Sequence, residues 1–510
     1  MLLVHPPVAK PSEPPAGIAL LAGALASAGV PCRVLDANLE ALLWLAARPK
    51  TGADTWTTRA IKHRGAHLAA LRDPAAYAAP ARYNRAVRDL QRVLYAASRP
   101  LGAIVGLADH HHDRLSPVRS ADLLFAAEHP EEDPFHPWFS VRLRELLEQD
   151  RPGTIGISLN YLSQALPSFA MIGWLRREFP GLRIVLGGGL VTSWMRRPGW
   201  SDPFGGLVDR LIAGPGELPL LRLLGKEGAV GRFLPEYHRF PLREYLSPGF
   251  VLPYAASSGC WWNKCSFCPE RAEKNPYHAI PAEEAAADLS AIASRRDPVL
   301  IHLLDNAVSP ALMQKLIDRP PGAPWYGFAR VGSELADPEI CMALKRSGCS
   351  MLKLGIESGD QTVLNELGKG VELGTASRVL TNLKQAGIAT YVYLLFGTPP
   401  ESEDEARRTL AFTVEHYDAI SFLNLAVFNM PISGPEATRY ETEKFFEGDL
   451  SLYTGFRHPR GWDRQKVRRF LDLEFKRHPA VSAILRNDPP VFTSNHAALF
   501  AMRRIRTERS

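Results

Sequence analysis

Three of the six cysteines of this 510-residue chain stand within nine residues, in the stretch 260–268 with the sequence CWWNKCSFC. A short apolar segment, 251–256, precedes them and predicts a buried strand that leads into a loop. Three thiolates from one loop can bind an iron–sulfur cluster or zinc, and a cluster with only three protein ligands keeps one iron open for chemistry. Cys260, Cys265 and Cys268 are therefore the candidate metal ligands and the candidate catalytic centre.

Cysteines also serve in structural zinc sites and in disulfides, and the sequence favours neither. A structural zinc site needs a fourth ligand, yet the sequence has no second C-x2-C pair and His278 is the nearest candidate. Disulfides need paired, oxidised cysteines, whereas Cys32, Cys341 and Cys349 are scattered singly in apolar surroundings and no signal peptide is evident. We expect these three to be buried structural thiols in a reduced, intracellular protein.

Composition narrows the class of protein and its partners. The chain is 46% hydrophobic and 22% charged, as in globular proteins, and its length predicts two or three domains. We expect a cytoplasmic protein without a membrane span, because no apolar run approaches the roughly 18 residues that a bilayer requires. The net charge of +6 comes without an aromatic-interleaved basic motif, so no nucleic-acid partner is expected.

The first part of the chain alternates strands and helices. Apolar strands are predicted near the amino terminus and at 33–35, 154–159, 183–186 and 208–213, with helices between them. This pattern predicts a Rossmann-like, doubly wound α/β domain over residues 1–224, interrupted by a helical insertion at about 40–150. Its ligand crevice would lie at the carboxyl ends of the strands. Residues 225–250 are rich in glycine and proline and predict a linker.

From residue 251 the alternation starts again. Six predicted strands end near polar or turn residues, which is typical of the active-site rim of a β/α barrel, although each such residue could simply cap the next helix. We predict a partial (β/α)6 TIM-type barrel over 251–435 and a helical C-terminal cover over 436–510. The predicted strands are 251–256, 299–304, 325–329, 351–356, 390–396 and 419–427.

The spacing C-x4-C-x2-C resembles the C-x3-C-x2-C signature of the radical S-adenosylmethionine (SAM) superfamily, with one more residue in the first gap. The resemblance implies a [4Fe–4S] cluster on Cys260, Cys265 and Cys268 whose open iron chelates SAM. Reductive cleavage of SAM would then release a 5′-deoxyadenosyl radical that abstracts hydrogen from an unreactive carbon.

The barrel segment carries further likenesses to that family. Phe267 precedes the last cysteine where family members carry an aromatic residue near the adenine of SAM, and the run 354–359, LGIESG, resembles the fourth-strand segment that approaches the ribose or methionyl part. Asp305 takes the place of the second-strand polar motif, though Asp-Asn replaces the usual Gly-Gly-Glu. The resemblance implies these SAM-binding candidates: Phe267, Asp305, Arg330, Glu357, Ser358, Gly397 and Pro399.

The stretches His5-Pro6-Pro7, Gly187-Gly188-Gly189 with Thr192, and Gly214-Pro215-Gly216-Glu217 resemble the cobalamin-binding domain of the B12-binding radical SAM subfamily. The likeness implies that Gly187, Gly188 and Thr192 contact this cofactor. The D-x-H-x-x-G loop that ligates cobalt in many cobalamin proteins is missing, and the run His110–His112 lies inside the insertion and is expected to be a solvated loop or a metal site. Two alternatives stay open: cobalamin bound without a histidine ligand, or a retained fold without the cofactor.

Together these observations predict a radical SAM enzyme that acts on an unactivated carbon. The expected reaction is cobalamin-dependent methyl transfer, or else a cobalamin-independent rearrangement or oxidation. The expected partners are a small-molecule or peptide substrate and an electron donor of the flavodoxin or ferredoxin type. A zinc-stabilised nucleotide-binding protein without catalysis is the alternative from a different class.

Overall fold

Two parallel β-sheets organise the chain, each in its own unit. The computed structural model describes residues 1–226, 231–443, 448–490 and 496–507. One unit comprises Met1–Phe250 together with Glu447–Ser451 and Pro490–Phe492, and the other contains the remainder. In the described ranges no helix is both long and apolar enough to cross a membrane.

The first unit alternates strands and helices around its sheet. The helix that starts at Ala37 is capped by the side chain of Asp36, which accepts from Leu39 N at 2.9 Å. Its strands are β1 Leu2–His5, β2 Arg33–Asp36, β3 Ala103–Val105, β4 His110–His112, β5 Thr154–Ser158, β6 Arg183–Gly187 and β7 Arg210–Leu211. Its helices are α1 Ala16–Ser27, α2 Ala37–Ala47, α3 Thr55–Arg72, α4 Pro74–Tyr77, α5 Pro80–Ser98, α6 Ser120–Glu128, α7 His136–Asp150, α8 Ala165–Glu178, α9 Gly189–Met195 and α10 Glu217–Leu223.

The main sheet of this unit has the strand order β2-β1-β5-β6-β7, and every neighbouring pair is parallel. Counted within the sheet, this is the order 2-1-3-4-5, one of the two common doubly wound arrangements. The order reverses between β1 and β5, so the ligand crevice of such a sheet lies at their carboxyl ends. The doubly wound N-terminal sheet predicted from the sequence is confirmed.

The insertion between β2 and β5 is mainly helical but contains an antiparallel hairpin. β3 and β4 pair with Val105 opposite His110 and Ala103 opposite His112. The prediction of a solvated loop for the histidine run was therefore wrong: His110 is buried and only His111 is exposed. Period-2 alternation over three identical residues carries no apolar signal, which is why the strand was missed.

Residues 231–250, predicted as part of a linker, pack on the first unit. Glu236 N donates to Ala19 O at 2.9 Å and Leu246 N donates to Pro11 O at 2.7 Å. Aromatic side chains in this segment, including Tyr237 and Tyr245, are buried. Their apolar area holds the segment in place despite its prolines and glycines. Residues 227–230 of the predicted linker lie outside the described residues.

The second unit repeats a strand–helix pattern, and several of its helices begin at a capping residue such as Ser309, which accepts from Leu312 N at 3.2 Å. Its strands are β8 Val251–Tyr254, β9 Ser257–Ser258, β10 His278–Ala279, β11 Leu300–Leu303, β12 Trp325–Ala329, β13 Cys349–Glu357, β14 Ala389–Phe396, β15 Phe422–Val427, β16 Met430–Pro431, β17 Thr442–Glu443 and β18 Tyr453–Phe456. Its helices are α11 Pro269–Ala272, α12 Ala282–Arg296, α13 Pro310–Asp318, α14 Pro338–Arg346, α15 Gln361–Glu366, α16 Leu373–Gln385, α17 Glu403–Glu415, α18 Glu436–Arg439, α19 Arg464–Phe470, α20 Pro479–Leu485 and α21 Ala497–Thr507, with a π-helical turn at Leu471–Phe475.

Six parallel strands form the sheet of this unit in the order β8-β11-β12-β13-β14-β15, which is their order along the chain. Helices connect successive strands, so all carboxyl ends meet at one edge. β8 and β15 are the two edges of the sheet, as in an open barrel. The predicted partial (β/α)6 architecture is confirmed.

The C-terminal region is less helical than predicted. Besides α18 to α21, it contributes the antiparallel sheet β16-β18-β17. Its short strands give too few residues for a periodic signal. Within the first unit, Leu450 N donates to Val118 O at 2.9 Å and Ser120 N donates to Asp449 Oδ1 at 2.8 Å. A later part of the chain thus returns to complete the first unit.

Candidate metal centre and cofactor sites

The cysteine loop leaves the first strand of the open barrel through a tight turn. β9 pairs with β10, placing Ser258 opposite His278. Gly259 has φ +71°, and a Cβ there would lie 2.4 Å from Pro276 O, so this turn requires glycine. Farther along, Ser266 N donates to Leu367 O at 2.9 Å. The loop is therefore fixed at its start and near its end.

The three thiols of the loop are free, with Cys265 buried and Cys260 and Cys268 partly exposed. Cys265 interacts electrostatically with each of the other two, so it is the middle member of the set. In the part of the chain that the structure describes, no group of three or more His, Cys, Asp or Glu side chains lies close enough to hold a metal ion. The assignment of these cysteines as ligands therefore remains a proposal.

The surroundings of the thiols nevertheless fit an anionic cluster. Burial raises the pKa of Cys265, and it raises that of Cys268 to about 11, while the charges of Lys369 and Arg330 act in the opposite direction at Cys265. Two cations beside a thiol favour its thiolate, the form that binds metal. In the residue after Cys260, the indole Nε1 of Trp261 is buried and has no hydrogen-bond partner. This N–H can therefore donate to a bound group such as a cluster sulfide.

Asp305 is buried at the end of the second barrel strand and binds the start of the cysteine loop. Its carboxylate accepts from Ala256 N at 3.1 Å and from the Ser257 hydroxyl. The next residue, Asn306, donates to Gly259 O at 3.1 Å. Burial raises the pKa of Asp305. The Asp-Asn pair that replaces the family's usual motif therefore supports the loop, and the carboxylate predicted to bind SAM is already engaged by protein groups.

Glu357 ends the fourth barrel strand and forms an ion pair with Lys369 at 2.8 Å, with both side chains about one-tenth exposed. Its φ of +70° is the left-handed conformation that non-glycine residues seldom adopt. A Cβ on Gly355 would lie 2.4 Å from Glu357 Oε1, so this glycine makes room for the pair. Backbone strain of this kind clusters at functional sites. Glu357 stays a candidate to accept from ribose hydroxyls.

Ser358 turns inward from the predicted SAM-facing position. Its hydroxyl lies 3.2 Å from Thr409 Oγ1 and accepts from Asp360 N at 3.1 Å, and the residue is fully buried. Gly359 N also donates to Thr409 Oγ1, at 2.9 Å. In this structure the Ser358 side chain therefore holds the turn after β13.

The turn after the fifth strand is held by groups from the C-terminal region. Gly397 has φ +77° and its N–H donates to the buried carboxyl of Glu401, which also accepts from Trp462 Nε1 at 3.1 Å. His458 Nε2 lies 2.9 Å from Thr398 O. The backbone of Gly397 to Pro399 is thus rigid, as a surface for a flat ring would need to be. The sequence did not predict His458 and Trp462 as partners, because they lie about 60 residues from the turn and carry no local signal.

Arg330 and Phe267 lie beside the cysteine loop. The guanidinium of Arg330 stands 3.9 Å from the centre of the Trp262 ring and donates to Lys369 O at 2.6 Å. Lys369 Nζ lies 5.7 Å from the centre of the Phe267 ring. The structure therefore groups Cys265, Phe267, Arg330, Glu357 and Lys369, while Asp305 and Ser358 serve the backbone next to them.

In the first unit, the predicted glycine turn follows β6. Gly188 has φ +109°, and a Cβ there would lie 2.4 Å from Leu159 O, so the turn presses against the end of β5. Thr192 donates its hydroxyl to Gly188 O at 2.8 Å and accepts from Gly214 N at 2.9 Å. Gly187 O accepts from Leu159 N at 2.7 Å. All three predicted cofactor residues take part in joining the carboxyl ends of neighbouring strands.

The carboxyl end of β1, next to the point where the sheet order reverses, has a buried polar group without a partner. His5 ends β1, is buried, and its Nδ1 has no hydrogen-bond partner. Around it the loop is cross-linked: Gln164 Nε2 donates to Pro6 O at 2.7 Å, and the Ser163 hydroxyl donates to Val8 O at 2.8 Å. An unpaired imidazole nitrogen at the carboxyl end of β1 fits a polar ligand near the position where sheets of this topology bind cofactors.

His496 lies in an aromatic cluster at the outer strands of the barrel sheet. Its ring stacks on Tyr391 with centroids 4.7 Å apart and meets Phe422 edge-on at 4.4 Å. The residue is buried to 1% exposure. This histidine therefore packs in the interior of the second unit as a structural residue.

Part of the second unit matches a known protein family. Residues 254–413 match the family model of the radical SAM superfamily. An uncharacterised methyltransferase of Pyrococcus horikoshii is 23% identical over 191 residues, which cover 35% of this chain and 40% of that protein. The bacteriochlorophyllide d C-12(1)-methyltransferase of Chlorobaculum tepidum is 26% identical over 183 residues, which cover 32% and 38%. The chain thus aligns with about two-fifths of the length of these relatives.

Among solved structures, the radical SAM methyltransferase TsrM of Kitasatospora setae is similar in fold. Its form with cobalamin and a [4Fe–4S] cluster bound superposes with a TM-score of 0.52 at 15% identity, covering 86% of this chain and 74% of TsrM. The form with tryptophan and a SAM analogue gives 0.51 at 14% identity, covering 84% and 73%. The stretch that matches the radical SAM superfamily, residues 254–413, contains the cysteine loop and most strands of the open six-stranded sheet.

Proposed function

We propose that this protein is a radical SAM enzyme whose cluster is held by Cys260, Cys265 and Cys268. The observation that carries the proposal is the match of residues 254–413 to the radical SAM superfamily, with the three free thiols on the loop that follows the first barrel strand. When bound, the [4Fe–4S] cluster would supply the electron that cleaves SAM. The electron donor would be a flavodoxin or ferredoxin.

The protein's own residues would orient SAM and exclude water. Lys369 fixes the Glu357 carboxylate, which can accept hydrogen bonds from ribose hydroxyls. The turn from Gly397 to Pro399 offers a rigid backbone to the adenine, and Phe267 lies beside Lys369 on the cysteine loop. Asp305 and Asn306 keep the start of that loop in place. These contacts supply orientation, while the cofactors supply the bond-breaking chemistry.

The cluster proposal is tested by metal content. Anaerobic reconstitution with iron and sulfide should give about four irons per chain with matching sulfide. The Cys265→Ala variant should lose the cluster and the cleavage of SAM to 5′-deoxyadenosine. Cys32→Ala, which removes a thiol from the first unit, is the matched control and should retain both. Stoichiometric zinc without iron, or SAM cleavage by Cys265→Ala, would contradict the proposal.

We further propose that the first unit binds cobalamin and that the reaction is methyl transfer to an unactivated carbon or phosphorus of a small molecule or peptide. The support is the fold shared with TsrM, the sheet order that reverses between β1 and β5, and the unpaired His5 Nδ1 at the carboxyl end of β1. Both aligned relatives are named methyltransferases. Bound cobalamin would supply the carrier of the methyl group.

Cobalamin retention tests this second proposal. After reconstitution with hydroxocobalamin and desalting, near-stoichiometric corrinoid by absorbance is expected. Retention would show that binding does not need the missing D-x-H-x-x-G loop. If SAM cleavage is intact and no corrinoid is retained, the reaction is a cobalamin-independent radical transformation, which the missing loop favours.

A further inference from the structure

The extended first gap of the cysteine loop builds a stacked cation beside Cys265. The gap consists of Trp261, Trp262, Asn263 and Lys264. Asn263 adopts φ +46°, a left-handed conformation that asparagine tolerates better than most residues. This bend accompanies a perpendicular pair of indoles with centroids 6.4 Å apart. The additional length is therefore used to present aromatic faces.

Arg330, at the end of the third barrel strand, lies on those faces. Its guanidinium is 3.9 Å from the Trp262 ring centre and 5.6 Å from that of Trp261. Cation–π contacts of this length are attractive, and they are stronger when water is excluded. Trp262 itself is fixed because its Nε1 donates to Gly368 O at 3.0 Å. The cation thus sits on a platform that belongs to the cysteine loop.

The guanidinium is fixed on its other side as well. One nitrogen donates to Lys369 O at 2.6 Å and to Gly370 O at 3.3 Å. The positive charge of Arg330 also interacts electrostatically with the Cys265 and Cys260 thiols. One nitrogen of the guanidinium is thus already engaged by backbone oxygens, whereas a bidentate contact with the SAM carboxylate would need two nitrogens free.

We propose that Arg330 is a positioning residue that holds a fixed positive charge against the cysteine loop, on the indoles between Cys260 and Cys265, and thereby raises the reduction potential of the cluster. Reduction adds an electron to the cluster, and a nearby cation stabilises the added charge. Hydrogen bonds to cluster sulfurs and local charge are established determinants of such potentials. The inference rests on the proposed cluster and adds a residue that makes its reduction easier for a weak donor.

The test is a redox titration of the reconstituted protein without SAM, followed by the EPR signal of the reduced cluster. Arg330→Gln, which can still donate to Lys369 O, should shift the midpoint potential to more negative values. Arg330→Lys keeps the charge and should give a smaller shift. Lys264→Gln is the matched control: its ammonium lies 4.7 Å from the same Trp262 ring but the residue is exposed, so solvent screens its charge and little shift is expected.

Each outcome either supports this inference or overturns it. Equal shifts in Arg330→Gln and Arg330→Lys would overturn it, because loop geometry rather than charge would then set the potential. An unchanged SAM-free potential with a large loss of SAM affinity in Arg330→Gln would also overturn it and make Arg330 a SAM carboxylate ligand. If the unmodified protein assembles no cluster, the proposed function fails first. Iron content and thermal unfolding of each variant show whether the loop remains intact.

Discussion

The carboxyl group of Glu401 shows how a buried residue can make this protein sensitive to pH. It is fully buried and accepts from Gly397 N and from Trp462 Nε1. Burial raises its pKa from the usual 4.5 to about 8. The folded protein therefore keeps this proton in a range where the unfolded chain has already lost it. Because the unfolded chain releases this proton more readily, the free energy of unfolding falls as pH rises from about 4.5 to 8.

We predict that Glu401→Gln removes this dependence. Glutamine keeps an acceptor for Gly397 and Trp462 but does not ionise. The free energy of unfolding of the parent should fall relative to the variant by up to about 1.4 kcal/mol per pH unit between about pH 5 and 8. Chemical unfolding across that range measures the difference. Glu403→Gln, at a half-exposed position in the first turn of the helix that follows Glu401, should show no such trend. Parallel pH profiles for parent and Glu401→Gln would refute the assignment.

For single residues, the sequence was enough to name candidate site residues but not their hydrogen-bond partners. Asp305, Arg330, Glu357 and Gly397 could be named because polar residues and glycine recur where apolar strands end. The partner of each group could not be named. Ser358 pairs with Thr409, which lies 51 residues away, and Asp305 with Ser257, which lies 48 residues away. Such distances depend on the folded arrangement of helices rather than on any local pattern.

At the scale of elements, the turn after β6 has two adjacent glycines, and its conformation requires glycine at Gly188 but not at Gly189. A Cβ at Gly188 would meet Leu159 O at 2.4 Å with φ +109°, whereas at Gly189 the nearest atoms lie 3.8 Å away. We predict that Gly188→Ala lowers the free energy of unfolding by about 2 kcal/mol and reduces cobalamin retention, because strained backbone must shift. Gly189→Ala should change neither quantity. Thermal unfolding and corrinoid absorbance measure both, and equal effects in the two variants would refute the prediction.

The segment from Gly368 to Gly374, which contacts Trp262 of the cysteine loop, gives a second comparison between two glycines. Gly370 has φ +62°, and a Cβ there would lie 2.2 Å from Trp262 Cζ2, whereas a Cβ at Gly374 meets nothing closer than 3.9 Å. We predict that Gly370→Ala displaces the indole and lowers iron incorporation, while Gly374→Ala, near the start of a helix, does not. Iron per chain after reconstitution is the measurement. Full iron incorporation by Gly370→Ala would show that the contact between Gly370 and the Trp262 ring is not needed for cluster assembly.

Element prediction succeeded where period and length were clear. Strand Trp325–Ala329 was predicted with its observed bounds, and the other barrel strands differ by a few residues at their ends. Parallel strands buried on both faces appear as apolar runs, which accounts for this success. The hairpin of β3 and β4 and the sheet of β16 to β18 were missed because strands of two to four residues leave no periodic trace.

For the whole molecule, we predict that the first unit depends on residues 448–451. A Cβ at Gly448 would lie 2.0 Å from Val118 O, a backbone atom that cannot yield easily. Gly448→Ala should therefore dislodge this segment and lower the stability of the first unit by at least about 2 kcal/mol. Thermal unfolding of the full chain measures the effect. Gly17→Ala, in an open part of a helix of the same unit, should be neutral or slightly stabilising.

The return of the chain at Leu450 and Asp449 has a consequence for biosynthesis. The groups that these residues satisfy, Val118 O and Ser120 N, are made more than three hundred residues earlier. During translation the first unit therefore waits, incomplete, until most of the second has left the ribosome. A gene divided between residues 250 and 251 would give two polypeptides. The first would then lack the segment that contains Asp449 and Leu450, because that segment would be encoded with the second.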